Sequence, residues 1–291
     1  MRITPALLFC CLLLGCGGRQ PVNAPIANPV DETDFDDAGK TKPGGQMPSG
    51  VSDIKREKVA YSVGKESVEG FLCRPEKEGK RWPGLLLIHD ANGLDSWVKD
   101  QAYRQASRGY VVLAVDLYRG ETAKDVMEAH ILERGLPEDR VRGDLKAAVD
   151  YLAGRDDVRD DKLGVAGFGM GGGYALETAV HDGRLRAVVN CYGRLITDPK
   201  QLASLRARVF YIYAVKDKGT TGDTIAQFVQ AMNKAGKGDQ LENMPGFFGC
   251  GYGFLDPANW STYGQPEIID VEKAWRLIDE FLDRQLKESK R

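Results

Sequence analysis

The sequence predicts an α/β protein built on a mostly parallel, twisted sheet with helices on both faces. Three observations point there. From Glu57 onward, β-branched apolar runs alternate with amphipathic stretches in one repeating rhythm. Runs such as Gly84-Leu85-Leu86-Leu87-Ile88 are apolar throughout, as expected of strands covered on both faces. The strand-like Leu163-Gly164-Val165-Ala166 passes through glycines directly into a helix-like stretch.

The elements follow in order. Residues 59–63 and 68–73 read as an opening antiparallel pair, and 84–89 as the first buried strand. A helix starts near Ser96, and 110–115 gives the next strand. The following helix places Leu145, Ala148, Val149 and Leu152 on one face at i, i+3, i+4 and i+7. Residues 163–166 are strand, 170–180 helix, 186–190 strand and 209–214 strand. In 224–235, Ile225, Phe228, Val229 and Met232 share a helical face. A last short strand is expected at 241–244, before a long loop. The closing amphipathic helix, 268–286, aligns Val271, Ala274, Trp275, Ile278 and Leu282. With no internal repeat and no second linker, residues 54–288 read as one folded domain.

Composition narrows the function. Among 291 residues, 40 Lys and Arg nearly balance 42 Asp and Glu, for a net charge of −2. No nucleic-acid footprint is expected from that balance. A hydrophobic share of 42% with 28% charged residues excludes a polytopic membrane protein and a fully disordered chain. Any histidine chemistry must use His89, His130 or His181, of which the last two fall in helical stretches.

The amino terminus reads as an address. Arg2 precedes the apolar run Ala6 to Leu14, too short to span a bilayer but right for a signal peptide over 1–15. The run ends Leu13-Leu14-Gly15-Cys16, which resembles the lipobox of bacterial lipoproteins and implies lipid attachment at Cys16. Residues 16–53, rich in Pro, Gly, Asn and Asp without apolar periodicity, read as a flexible tether. The expectation is an exported protein, lipid-anchored to a membrane of the bacterial cell envelope. Cys73, Cys191 and Cys250 then remain, enough for one internal disulfide at most, and no Cys-x-x-Cys spacing indicates zinc.

The chemistry concentrates at Gly167-Phe168-Gly169-Met170-Gly171. A strand, a tight turn and a helix start in this order match the site where G-x-S-x-G presents a nucleophile, yet glycine holds the nucleophile position. With its flanking segments, the chain resembles the dienelactone hydrolase family over essentially the whole folded domain. The likeness rests on Leu87-Ile88-His89-Asp90-x-x-Gly93-Leu94 and on Val112-Leu113-Ala114-Val115-Asp116-Leu117-Tyr118. Asp144-Leu145-x-Ala147-Ala148-x-x-Tyr151-Leu152 and Tyr192-Gly193 extend it. Asp90 stands where the family usually has glutamate, and Val115 where it has proline. The resemblance implies the α/β-hydrolase fold and a Cys, Asp, His triad. Carried onto this chain, the triad positions are Gly169, Asp217 and Tyr252, the last within Met244-Pro245-Gly246-Phe247-Phe248-Gly249-Cys250-Gly251-Tyr252-Gly253-Phe254.

Loss of nucleophile or base from a working triad costs on the order of a millionfold in rate. Triad-dependent hydrolysis is therefore expected to be absent. The oxyanion hole survives such substitutions because it uses backbone N–H groups, here those of Ala91 and Met170. Asp90 either contacts a ligand or caps the turn before Asn92-Gly93. Asp217 is expected to hold its own loop through backbone N–H groups.

Several alternatives stay open. Cys191 and Cys250 either form a disulfide across the former active site or remain free thiols. A working ester or lactone hydrolase with Cys250 or Cys191 as nucleophile competes with a non-catalytic protein that binds a small ester, lactone or carboxylate, or an unidentified protein partner. A scaffold with a crevice filled by Phe247, Phe248, Tyr252 and Trp260 is the third reading. Gly167-x-Gly169-x-x-Gly172 also matches a dinucleotide fingerprint, but it lies far from the first strand–helix unit where that pattern belongs. No cofactor and no metal are expected.

Overall fold

Large apolar side chains alternating along the strands build one eight-stranded sheet among the described residues, 53–77 and 79–288 of the computed structural model. The signal peptide, Cys16 and nearly all of the tether expected from the sequence lie outside these residues. The strands are β1 (Ile54–Val63), β2 (Glu66–Pro75), β3 (Trp82–Ile88), β4 (Val111–Val115), β5 (Val158–Phe168), β6 (Leu185–Cys191), β7 (Arg208–Ala214) and β8 (Gly246–Phe247). Their order is β1-β2-β4-β3-β5-β6-β7-β8. β1 and β2 form an antiparallel hairpin, and β2 joins β4 antiparallel. Every later pairing, from β4–β3 to β7–β8, is parallel.

Period-two alternation divides the core between the two faces. Leu86, Ile88, Leu113, Val165 and Val188 meet α3 (Glu138–Ala153), α4 (Met170–His181) and α6 (Gly222–Lys234) on one side. Leu85, Leu87, Val112, Ala166 and Val189 meet α1 (Ser96–Ser107) and α8 (Ile268–Leu282) on the other. The expected stripe Leu145, Ala148, Val149 and Leu152 is buried as a unit. Each such leucine contributes about 1.5–3 kcal/mol over its exposed state.

Short helices complete the chain: α2 (Val126–Gly135), α5 (Pro199–Leu202) and α7 (Trp260–Tyr263). Asp95 caps α1, its carboxylate accepting the Val98 N–H at 2.9 Å. Asp279 on α8 is buried and accepts from Arg104 at 3.1 Å and Gln105 at 3.0 Å, tying α8 to α1.

One element moves relative to expectation. Leu241 makes only an isolated bridge to Val209, and the last strand is Gly246–Phe247, paired with Tyr213 and Ala214. Pro245 has no N–H to donate to a ladder, so pairing resumes beyond it rather than at 241–244.

The register fixes which end of the sheet each terminus occupies. Ile54 lies opposite Pro75, and Cys73 opposite Val112 near the start of β4. Residue 53 therefore sits at the amino-terminal ends of the parallel strands. Their carboxyl ends form the opposite rim.

Candidate functional site

That carboxyl rim carries the candidate residues, as in other open parallel sheets. β5 ends at Phe168 and α4 begins at Met170, leaving Gly169 as the entire turn, with φ 50° and ψ −117°. An L-residue there is strained. The Gly169 N–H donates to the Cys191 carbonyl at 2.9 Å, and its own carbonyl accepts from Gly172 at 3.0 Å. The turn is thus a rigid elbow. Gly171 serves a different need: a Cβ there would lie 2.5 Å from the Ile88 carbonyl oxygen. The glycines let α4 approach β3 closely, which accounts for the run without a nucleotide.

Tyr252 reaches this elbow from the loop after β8. Its hydroxyl occupies the space a Cβ on Gly169 would need, its Cζ would be 3.0 Å from that atom, and the Asp90 Cβ 3.4 Å. Gly169 and Tyr252 fit as a pair: the missing side chain makes room for the phenol. Burial, reinforced by Asp90 and then Glu133, raises the Tyr252 hydroxyl well above the ordinary phenol range. It stays protonated and cannot serve as a base at neutral pH. The Lys216 N–H donates to the Cys250 carbonyl at 3.1 Å, which ties the loop of Asp217 to the loop that carries Tyr252, and Asp217 is among the charges acting on that phenol. The Asp217 carboxylate accepts the Gly219 N–H at 2.8 Å and closes its own turn.

Asp90 caps the turn, accepting the Asn92 N–H at 2.8 Å, and its Cβ lies beside the elbow. It is 3% exposed, and burial pushes its carboxyl up to about 7, with the charges of Asp256 and Asp95 acting in the same direction and the Asn92 N–H against them. Asp256, equally buried, is pushed up to about 6 by burial, with Asp95 adding to the shift. Among the described residues, no acceptor takes the N–H of Ala91 or of Met170. The Tyr118 hydroxyl braces both residues, donating to the Ala91 carbonyl at 3.3 Å and approaching the Met170 sulfur at 3.6 Å.

The cysteines stand apart. Cys73, Cys191 and Cys250 are all free and buried, so the disulfide considered between Cys191 and Cys250 is not formed. Cys191 ends β6 inside the core, where burial pushes its thiol far above the usual range. The Cys250 Sγ lies 3.9 Å from the Asp270 carboxylate, and burial together with that charge pushes its thiol up to about 12. Neither is activated as a nucleophile. His89 is committed on both nitrogens: Leu117 N–H donates to Nε2 at 3.1 Å, leaving Nδ1 to donate to the Asp90 carbonyl at 2.6 Å. Burial holds the ring neutral. His130 lies exposed on α2 beside Glu133, and His181 ends α4.

Of the aromatic residues expected to fill the crevice, Phe247 and Tyr252 pack inward, whereas Phe248 is 80% exposed. The Trp260 indole donates to the Phe254 carbonyl at 2.9 Å and supports the loop. Sequence reasoning left out Tyr263, Glu133 and Asp256 and noted Tyr192 only as part of a Tyr-Gly pair. The Tyr252 ring stands edge-on to Tyr192, with centroids 5.4 Å apart, and to Tyr263 at 5.3 Å. Among the described residues, no group of three His, Cys, Asp or Glu is arranged to hold a metal ion.

This sheet order, the elbow between β5 and α4, and three loops meeting at the carboxyl rim define an α/β-hydrolase fold. The chain belongs to the dienelactone hydrolase family, whose sequence profile matches residues 68–286. A Bradyrhizobium protein described as a probable 2-oxo-3-(5-oxofuran-2-ylidene)propanoate lactonase is 31% identical over 201 residues, spanning 65% of this chain and 80% of that one. The solved structure named m3DLH superposes with a TM-score of 0.73 at 25% identity, covering 81% of this chain and all of its own. The dienelactone hydrolase-like promiscuous phosphotriesterase P91, from metagenomic libraries, shares the fold with a TM-score of 0.72 at 20% identity, over 80% of this chain and 99% of its own.

Proposed function

We propose that this member of the dienelactone hydrolase family is a non-catalytic binding protein, lipid-anchored through Cys16 in the bacterial envelope. The observation that carries the reading is the phenol of Tyr252 filling the place of the nucleophile's side chain at Gly169. Neither residue supplies the electron pair that acyl transfer requires, and Asp217 has no imidazole to orient. The free N–H groups of Ala91 and Met170 support binding of an oxygen atom, such as the carbonyl of a small ester or lactone. A carboxylate, also expected from the sequence, meets the charge of Asp90, Glu133 and Asp217 around Tyr252.

The test is a panel of small esters, thioesters and lactones offered to the wild-type chain and to Cys191→Ala and Cys250→Ala. No turnover above the uncatalysed rate is expected in any of the three. Brisk turnover by the wild type sinks the proposal, and turnover lost in one cysteine variant would identify a substitute nucleophile. Anchoring is tested separately by metabolic labelling with a fatty acid, which Cys16→Ser should abolish.

A further inference from the structure

The helix α2 lacks cover on one face. It spans ten residues, below the ~12–15 at which even favourable helices hold on their own in water, so it depends on packing. Yet Ala129 is its one buried residue, and three of the seven large apolar side chains exposed among the described residues lie on it. Met127 is 69% exposed and Ile131 63%, four positions apart and therefore on one face, with Val126 beside them. The amino-terminal end is well made: Asp125 accepts the Glu128 N–H, and the Glu128 carboxylate accepts the Lys124 N–H, both at 2.8 Å. The helix is capped but not packed.

The residues around that face specify what covers it. Glu128 lies three positions before Ile131 and Arg134 three after, on opposite flanks of the isoleucine. Arg134 has no ion pair among the described residues. Met127 lies four positions before Ile131 and Gly135 four after, and a Cβ on Gly135 would meet nothing within 4 Å. The face is thus its own complement. Turned end for end about a two-fold axis at Ile131, a second α2 sets isoleucine against isoleucine. Each Met127 then reaches over the bare backbone of the opposite Gly135, and each Glu128 comes within reach of the opposite Arg134. Antiparallel helices also bring opposite dipole ends together. A register centred on Ala129 would instead place Arg134 beside Lys124, a like charge, and Ala129 faces the core. The chain before Asp53 is a poorer candidate for the cover. It enters at the foot of the sheet, whereas α2 follows the carboxyl end of β4, where Thr122 bridges to Gly93.

We propose that α2 is a self-association face, along which two copies of this chain pair antiparallel about a two-fold axis at Ile131. The proposal goes beyond the binding role above and stands whether or not the crevice is catalytic. A single short helix covers less than the ~800 Å² per partner of a standard interface, so the pair forms at ~1–100 µM chain.

Sedimentation velocity of the full-length chain from about 1 to 300 µM tests it. The mass should rise towards two chains, and Ile131→Asp should weaken association at least about a hundredfold. Glu128→Arg alone and Arg134→Glu alone should each weaken it at least about tenfold, because like charges then meet across the seam. Mixed in equal amounts, these two variants should pair again to within about threefold of wild type, since one then offers only arginines and the other only glutamates. Melting temperatures at about 1 µM report the folding of each variant. On oxidation, Ile131→Cys should yield a cross-linked dimer, whereas Ile269→Cys, at a position exposed to a similar degree on α8, should not. A wild type that stays monomeric at about 300 µM, association untouched by Ile131→Asp, or folded charge variants that fail to pair on mixing overturns the proposal. A monomer whose Met127 resists peroxide also overturns it, and assigns the cover to residues 1–52.

Discussion

The Tyr252 hydroxyl occupies the position that a side chain on Gly169 would take. Two residues 83 positions apart in the chain thus exclude each other's larger alternatives. The elbow holds Gly169 at φ 50°, and the Tyr252 phenol fills the space beside it.

This exclusion is measurable as a coupling. Gly169→Ala should cost about 3 kcal/mol in chemical denaturation, from backbone strain plus collision with the phenol. In a Tyr252→Ala background the collision disappears, and the cost should fall by at least about 1 kcal/mol. Equal costs in the two backgrounds would show that the side chains do not meet.

The same geometry sets the order in which triad chemistry could be installed. Gly169→Cys alone and Tyr252→His alone should remain inert, because nucleophile and base act as a unit. The double variant should hydrolyse p-nitrophenyl acetate at least about a hundredfold faster than wild type, with Asp217 beside the new imidazole. A folded double variant no faster than wild type would contradict the assignment of these positions.

Stability should depend on pH through the buried acids. Folding raises the Asp90 carboxyl from 3.8 to about 7 and that of Asp256 to about 6, so the folded chain holds these protons more tightly than the unfolded one. Their contribution is complete below about pH 4 and is lost as pH rises through 6 to 7. Asp90→Asn keeps the acceptor for Asn92 and removes the titration. Relative to wild type it should gain on the order of 2–4 kcal/mol between pH 4 and pH 8. A difference that stays flat across this range would mean that Asp90 is ionised throughout.

Thiol mapping bears on the remaining sulfur chemistry. After denaturation without reductant, Cys73, Cys191 and Cys250 should each be alkylated by iodoacetamide, with native labelling slow because all three are buried. A cross-linked Cys191–Cys250 peptide in the mass spectrum would refute the free-thiol arrangement.

Much of the fold was legible because strand burial writes itself into composition. Leu85 to Ile88 and Val111 to Val115 lie between helices on both faces, and they read as unbroken apolar runs. The boundaries of α2 were not legible: Val126, Met127 and Ile131 lie exposed, so its apolar residues do not mark a buried face. The last strand slipped because Pro245 interrupts the ladder in a way that hydrophobicity alone does not reveal. At the site, Gly169 stood out because a recognisable motif lacked its central residue. The contact of Tyr252 with it, and the contributions of Glu133 on α2 and Tyr263 on α7, depend on segments brought to the rim from distant parts of the chain. No spacing encodes that approach.

The opening hairpin has a geometric consequence. Because β1 runs antiparallel to β2 and β2 to β4, Asp53 is set at the foot of the sheet, while the elbow at Gly169 crowns its opposite end, about 26 Å away along the strands by register. Whatever binds the chain at Asp53 and whatever enters at Gly169 therefore meet the domain at opposite ends of the sheet, without competing for the same surface.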